Sequence, residues 1–264
     1  MSSTIDRQHA APASPGRPAA AAPLDRSPGV PWTRLGDTDL VQVATSDVNQ
    51  AWGVDVTGQV YSYGSGGWDP VGGNTLTNVS VAQDGTVWGV NANLPFTGET
   101  INVYQYSGNG AWTVMAGWLT QVSVGAAGQV WGVNALIEGN GVNSNVFSWN
   151  GSGWVSQPGY LTWVSVAADG TIWGVNANAT GDNAHYWNGN GWTQTSGNLA
   201  QVSAGSATVV FGVSPDGDIR QWDGDTSTWV PFDGGPFINI AAAWDGTLMG
   251  VKDRGEVDVA FLWG

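Results

Sequence analysis

The chain has 264 residues with 40 glycines and 17 tryptophans but only 11% charged side chains. That charged share is less than half that of an ordinary domain, which excludes a helical bundle or coiled coil and predicts an all-β fold with many tight turns. Twenty-one acids against seven bases give a net charge of −14, a field that repels phosphate and anionic lipid, so no nucleic-acid partner is expected. No run of about 18 apolar residues exists, so no membrane insertion is expected either. The absence of cysteine removes disulfides, thiol nucleophiles and zinc–thiolate sites.

Residues 1–30 are mainly Ala, Pro, Ser and Arg, too poor in apolar side chains to offset the entropy of ordering, and are expected to be a disordered Ala/Pro-rich tail. They lack the apolar segment of a secretory signal, which predicts a cytoplasmic or non-classically secreted protein. Residues 31–264 are expected to form one repeat domain. An aromatic residue or Met followed by Gly-Val recurs at Trp52, Trp88, Trp131, Trp173, Phe211 and Met249, at intervals of 36, 43, 42, 38 and 38 residues.

Before these copies stands an alternating segment and a tight turn, as in Val79-Ser80-Val81-Ala82 with Asp84-Gly85 and Val164-Ser165-Val166-Ala167 with Asp169-Gly170. Asp-Gly accepts the positive φ angles of a hairpin turn, so two strands are joined here. After each copy comes a second hairpin bracketed by aromatics, as in Trp149-Asn150-Gly151-Ser152-Gly153-Trp154 and Trp187-Asn188-Gly189-Asn190-Gly191-Trp192. Four strands per roughly 40 residues cannot bury both faces of a sheet alone, so six twisted copies must stack in a ring. The prediction is a six-bladed β-propeller of four-stranded antiparallel blades. Only one strand fits after Met249, whereas an orphan strand around Trp32 precedes the first copy; the last blade is therefore expected to be closed by the N-terminal strand, which removes two free sheet edges.

The motif Val-Ser-Val-x-x-Asp-Gly-Thr-x-Trp-Gly-Val-Asn followed by Trp-Asn-Gly-x-Gly-Trp resembles tectonin repeats, most completely from Trp163 to Trp192. Copies five and six depart from it, with Ser206-Ala207-Thr208 in place of the Asp-Gly turn and Met249 in place of Trp. The resemblance implies a multivalent lectin that binds glycans on cell surfaces or glycoconjugates, in some members methylated sugars or lipopolysaccharide, and that serves in defence or agglutination. A monomer without enzymatic activity is expected, with a protein-interaction propeller scaffold as the alternative.

A sugar site needs an exposed aromatic surface and polar partners for hydroxyls. Trp52, Trp88, Trp131 and Trp173 recur in successive blades and are assigned to core packing, and hairpin pairs such as Trp187 and Trp192 to cross-strand packing. The connectors repeat a Leu at Leu40, Leu76, Leu119, Leu161 and Leu199, with Phe237 in the last. Trp118, Tyr160 and Trp163 stand beside these anchors and break the repeat. Strand alternation puts the connectors on the same rim as the second-to-third-strand loops, which are long in blades 2 to 4: Asn91 to Asn102, Asn134 to Asn145 and Asn176 to Ala184. The candidate glycan-binding residues are therefore Trp118, Tyr160 and Trp163 with Asn93, Asn140, Asn178 and Asp182, joined by Glu99, Glu138 and Asn143 as further polar loop residues. A bland reading stays open, in which these are solvated loops with Trp118 and Tyr160 lying flat over the blade.

No cofactor and no metal are expected. His9 and His185 are the two imidazoles, too few for a histidine metal site, and no spacing singles out a carboxylate pair for glycoside hydrolysis. Asp216-Gly217-Asp218 and Asp223-Gly224-Asp225 resemble fragments of calcium loops but serve equally well as turns.

Overall fold

A computed structural model describes residues 31–64, 66–95, 101–126, 128–136, 144–252 and 258–263. The expected tail, together with Glu99, Glu138, Asn140 and Asn143, lies outside the described residues. Among the described residues, twenty-four strands form six four-stranded antiparallel sheets. Blade 1 comprises, from the centre outward, Gln42–Asp47, Gln50–Val54, Val60–Gly64 and Gly67–Val71; blade 4 comprises Trp163–Val166, Ile172–Val175, Ala184–Trp187 and Trp192–Gln194. Blade 6 takes its three inner strands, Asn239–Ala242, Leu248–Lys252 and Val259–Trp263, from the end of the domain and its outer strand, Trp32–Arg34, from the beginning. Trp32 lies opposite Trp263, so the expected closure and the six-bladed ring are both present.

Aromatic side chains cement the blades. The second-strand Trp of blades 2, 3 and 4 inserts into the hairpin pair of the next: Trp88 meets Trp149 and Trp154, Trp131 meets Trp187 and Trp192, and Trp173 meets Trp222 and Trp229, with centroids 5.1–6.1 Å apart. Trp173 is wholly buried and Trp88 nearly so. The same geometry carries Met249 onto Tyr63 and Trp68, although the side chain there is a thioether chain rather than an indole.

The outer Trp of every blade is locked in the same way. Trp32, Trp68, Trp112, Trp154 and Trp192 donate their indole N–H to the first carbonyl after the outer strand of the preceding blade, at 2.6–3.3 Å, and Trp229 donates to the Thr195 hydroxyl at 3.4 Å. These rings lie against glycines of that connector. Gly117, for example, has φ +112° and a Cβ there would sit 2.5 Å from the Trp154 indole, so both its conformation and the space require glycine.

Around the central channel the innermost strands of neighbouring blades are bridged by side chains. Gln42 Nε2 donates to Val79 O while Val79 N–H donates to Gln42 Oε1, both at 3.0 Å. Gln121 and Gln201 repeat this double clamp on Val164 and Ile240, and Asn78 and Asn239 accept from the N–H groups of Val122 and Val43. Two residues further along, Ser80, Ser123, Ser165 and Ser203 accept the N–H of Val124, Val166, Ala204 and Ala242. The Ser of the Val-Ser-Val motif is thus a ring-closing acceptor, because a buried strand edge must find partners for its backbone.

Candidate functional site

Each blade interface has a small face where the connector anchor meets the sheet. The second strand carries glycine there, and a Cβ on Gly212 would fall 2.6 Å from Leu199 Cδ1, so glycine makes the room the anchor fills. Opposite this glycine the third strand presents Tyr61, Tyr104, Phe147, His185, Arg220 and Phe261 in blades 1 to 6. In blades 1, 2, 3 and 6 the aromatic ring packs against the cluster that contains the connector Leu or Phe. Blade 5 places a guanidinium at this position, which solvates rather than fills the space.

A groove of about 610 Å³ opens at that place between blades 4 and 5. Its wall is the half-buried indole of Trp229, and its fringe is Asn198, Asp216, Asp218, Arg220 and Thr228. Arg220 Nη2 stands 3.7 Å from Asp218 Oδ2, with 36% and 64% of the two side chains exposed, so the pair is loose and solvated. A second groove of about 210 Å³, lined by Pro231, Phe232, Asp233 and Trp263, lies between blades 5 and 6. The dimensions and the mixture of one aromatic wall with several donors and acceptors suit a small polar ligand.

The neighbouring interface differs. His185 in blade 4 is half-buried, with Nδ1 2.9 Å from Asn183 O; burial pushes its pKa below the ordinary imidazole value, and the contact with the Asn183 carbonyl opposes this in part. Asp55, in the short loop of blade 1, is likewise spent on structure: burial pushes its carboxyl up, but bonds from the Thr57 hydroxyl, Gln59 N–H, Tyr61 hydroxyl and Thr57 N–H outweigh it and hold the pKa below the usual carboxylate value.

The sequence-predicted residues occupy three distinct settings. Trp163 takes the place that Gln or Asn holds in the other five blades, so it lines the channel and interrupts the amide ring. The space it lines there measures about 70 Å³. Trp118 is half-buried in the connector into blade 3, its carbonyl accepting from Asn134 Nδ2 at 3.3 Å, and Tyr160 is 38% exposed in the equivalent connector one blade on. Asn93 and Asn178 are exposed, each giving its backbone N–H to the Asn that opens its loop. Asp182 accepts the Gly197 N–H at 2.8 Å and so braces the connector into blade 5. None of these six lines the groove between blades 4 and 5.

Two stretches of the chain, residues 25–138 and 135–259, match the family model of the tectonin domain. The chain belongs to the tectonin family. A stretch of 58 residues is 43% identical to Tectonin-1 of Physarum polycephalum, covering 22% of this chain and 26% of that relative; the match thus spans about a quarter of the curated protein's length. Among solved structures, a proposed gluconolactonase superposes with a TM-score of 0.64 at 12% identity over 89% of this chain and 92% of its own. A glucose dehydrogenase does so with a TM-score of 0.57 at 11% identity over 89% and 99%. At these identities the likeness concerns the propeller fold alone.

Within the tectonin blades, the long loops have a structural role that sequence reasoning missed. Asn102, Asn145 and Asn183 close the loops of blades 2, 3 and 4, each buried and each making a pair of hydrogen bonds to the next connector: Nδ2 donates to the carbonyl of Leu119, Leu161 or Leu199, and Oδ1 accepts the N–H of the same residue. The short loops of blades 1 and 5 use the carbonyls of Gly58 and Gly217 instead. The groove itself had a signal in the sequence, namely Arg220 standing where other tectonin copies carry an aromatic. The paired acids of blade 5 form turns: Asp223 Oδ1 caps the N–H groups of Asp225 and Thr226. Among the described residues no group of three His, Asp or Glu is placed to hold a metal ion.

Proposed function

We propose that this protein is a multivalent carbohydrate-binding lectin that recognises surface glycans, in defence or agglutination, without transforming them. The observation that carries this reading is the groove between blades 4 and 5, where one indole wall is fringed by amide, hydroxyl, guanidinium and carboxylate groups. A pyranose offers a C–H face for the indole and hydroxyls for the fringe. Tectonin-family membership supports it, and the −14 charge sorts the glycans implied by that family. Methylated neutral sugars approach without penalty, whereas the phosphates of lipopolysaccharide approach against the field.

A glycan array probed with the intact chain tests the reading. Hits are expected, and Arg220→Ala should weaken them if the groove is the site, whereas Tyr160→Ala should weaken them if the connector rim is. An array without hits would sink the lectin reading. In that case the scaffold reading gains, since Val56, Ile101, Leu136, Tyr160 and Ile238 are exposed apolar residues that all stand on loops or connectors of one rim. Such residues on one rim suit a protein partner better than a sugar.

A further inference from the structure

We infer that the groove between blades 4 and 5 selects amino sugars, hexosamines with a free ammonium group, over neutral and acidic ones; this rests on the lectin reading and names the ligand class of that groove. Three charged groups line the groove, and they are not equivalent. Arg220 and Asp218 face each other at 3.7 Å and largely compensate. Asp216 is exposed, and its carboxylate has no hydrogen-bonding or ionic partner among the described residues. The groove walled by the Trp229 indole therefore carries one uncompensated negative charge.

An ammonium group is the sugar substituent that such a pair recognises. The carboxylate supplies a charge-assisted hydrogen bond, and a cation close to an indole gains further attraction from the ring quadrupole. A uronic or sialic acid would need Arg220 to leave Asp218 and would then face Asp216 at close range. An N-acetylated sugar keeps the ring and the hydroxyls but offers Asp216 only a neutral amide. The other interfaces do not share this chemistry: Tyr61, Tyr104, Phe147 and Phe261 fill the corresponding place in blades 1, 2, 3 and 6. The selectivity thus belongs to one groove of the ring and not to the repeat.

The test is calorimetric titration of the intact chain with a glucosamine oligomer, its N-acetylated counterpart and a galacturonate oligomer. The free amine should bind roughly two- to fivefold tighter than the acetylated form, the range for a solvent-exposed ion pair. The preference should vanish between about 0.01 M and 1 M salt, as the Debye length falls from ~30 to ~3 Å. Asp216→Asn should abolish it, bringing the affinities for the amine and the acetylated oligomer level. That variant separates a local contact from attraction to the overall charge, since it removes a single unit out of 14. Asp218→Asn, which frees Arg220, should raise affinity for the galacturonate. Equal affinity for amine and amide, a preference that survives Asp216→Asn, or binding of none of the three would overturn the inference. The lectin reading stands in each of those cases if the array gives hits elsewhere, and falls with it only if the array is blank.

Discussion

At the scale of single residues, identical side chains play different parts according to what lies opposite them. Trp173 has no exposed surface and fills the pocket between blades 4 and 5 behind Trp222 and Trp229, so Trp173→Ala removes contacts that no neighbour can replace. We expect a loss of about 3–5 kcal/mol and a melting temperature lower by roughly 6–20 °C, read by calorimetry. His185 predicts a pH effect. Burial holds its folded pKa below the ordinary imidazole value of about 6.5, so the unfolded chain takes up the proton more readily and stability falls as pH drops below about 6.5. Replacing it with Phe, the residue at this place in blade 3, should flatten that slope. Denaturant midpoints at pH 7.5 and 5.5 check this: the parent should lose more stability between the two pH values than the variant does.

The strand and loop scale is where pattern reading and structure diverge most usefully. Hairpins and repeat period were legible because they depend on local chemistry, Asp-Gly turns and alternating apolar residues. The long loops of blades 2 to 4 were legible as long, and their polar residues were read as candidates for ligand contact. The structure divides them by burial. Asn145 is buried and clamps both backbone groups of Leu161, while Asn178 is exposed with its side chain turned to no described neighbour. Asn145→Ala should therefore cost about 2–4 kcal/mol by leaving a buried N–H and C=O without partners, and Asn178→Ala should stay within about 0.5 kcal/mol. Equal melting temperatures for the two would show that the clamp is dispensable. Nothing in a single sequence distinguishes these asparagines, since both stand in polar loops of similar composition. What separates them is the connector of the next blade, far along the chain.

For the whole molecule the decisive feature is closure. Trp32 completes blade 6, stacks on Phe237 at 4.4 Å and donates to Asp233 O, so the outer strand from the start of the domain holds blades 5 and 6 together. Deleting residues 1–28 should leave the melting temperature nearly unchanged, whereas deleting 1–38 should lower it by exposing a strand edge and the aromatic surface beneath. Equal melting of the two truncations would contradict this role. Valency belongs to the same scale. Shallow grooves around a ring bind weakly one at a time, and engagement of several by one decorated surface adds a factor of about 10² to 10⁴. Soluble monovalent sugar should accordingly compete poorly against glycan-coated beads; full displacement at the monovalent dissociation constant would rule out multivalent binding.

The architecture was legible along the chain: all-β, six blades of four strands, closure by the first strand, and packing roles for Trp52, Trp88, Trp131 and Trp173. Each of these follows from periodicity, and periodicity is a property of the chain alone. Where the repeat leaves space was set by the packing of one blade on the next. The groove between blades 4 and 5 exists because Arg220, Asp216 and Trp229 of one blade face Asn198 of the connector before it, and because the aromatic that fills this place in four other blades is missing here. Trp163 shows the converse, since it breaks the pattern as visibly as Arg220 yet lines the central channel rather than a groove between blades. A deviation from a repeat is visible in one dimension. Whether it opens a site depends on the volume left between two blades, which no single stretch of the chain contains.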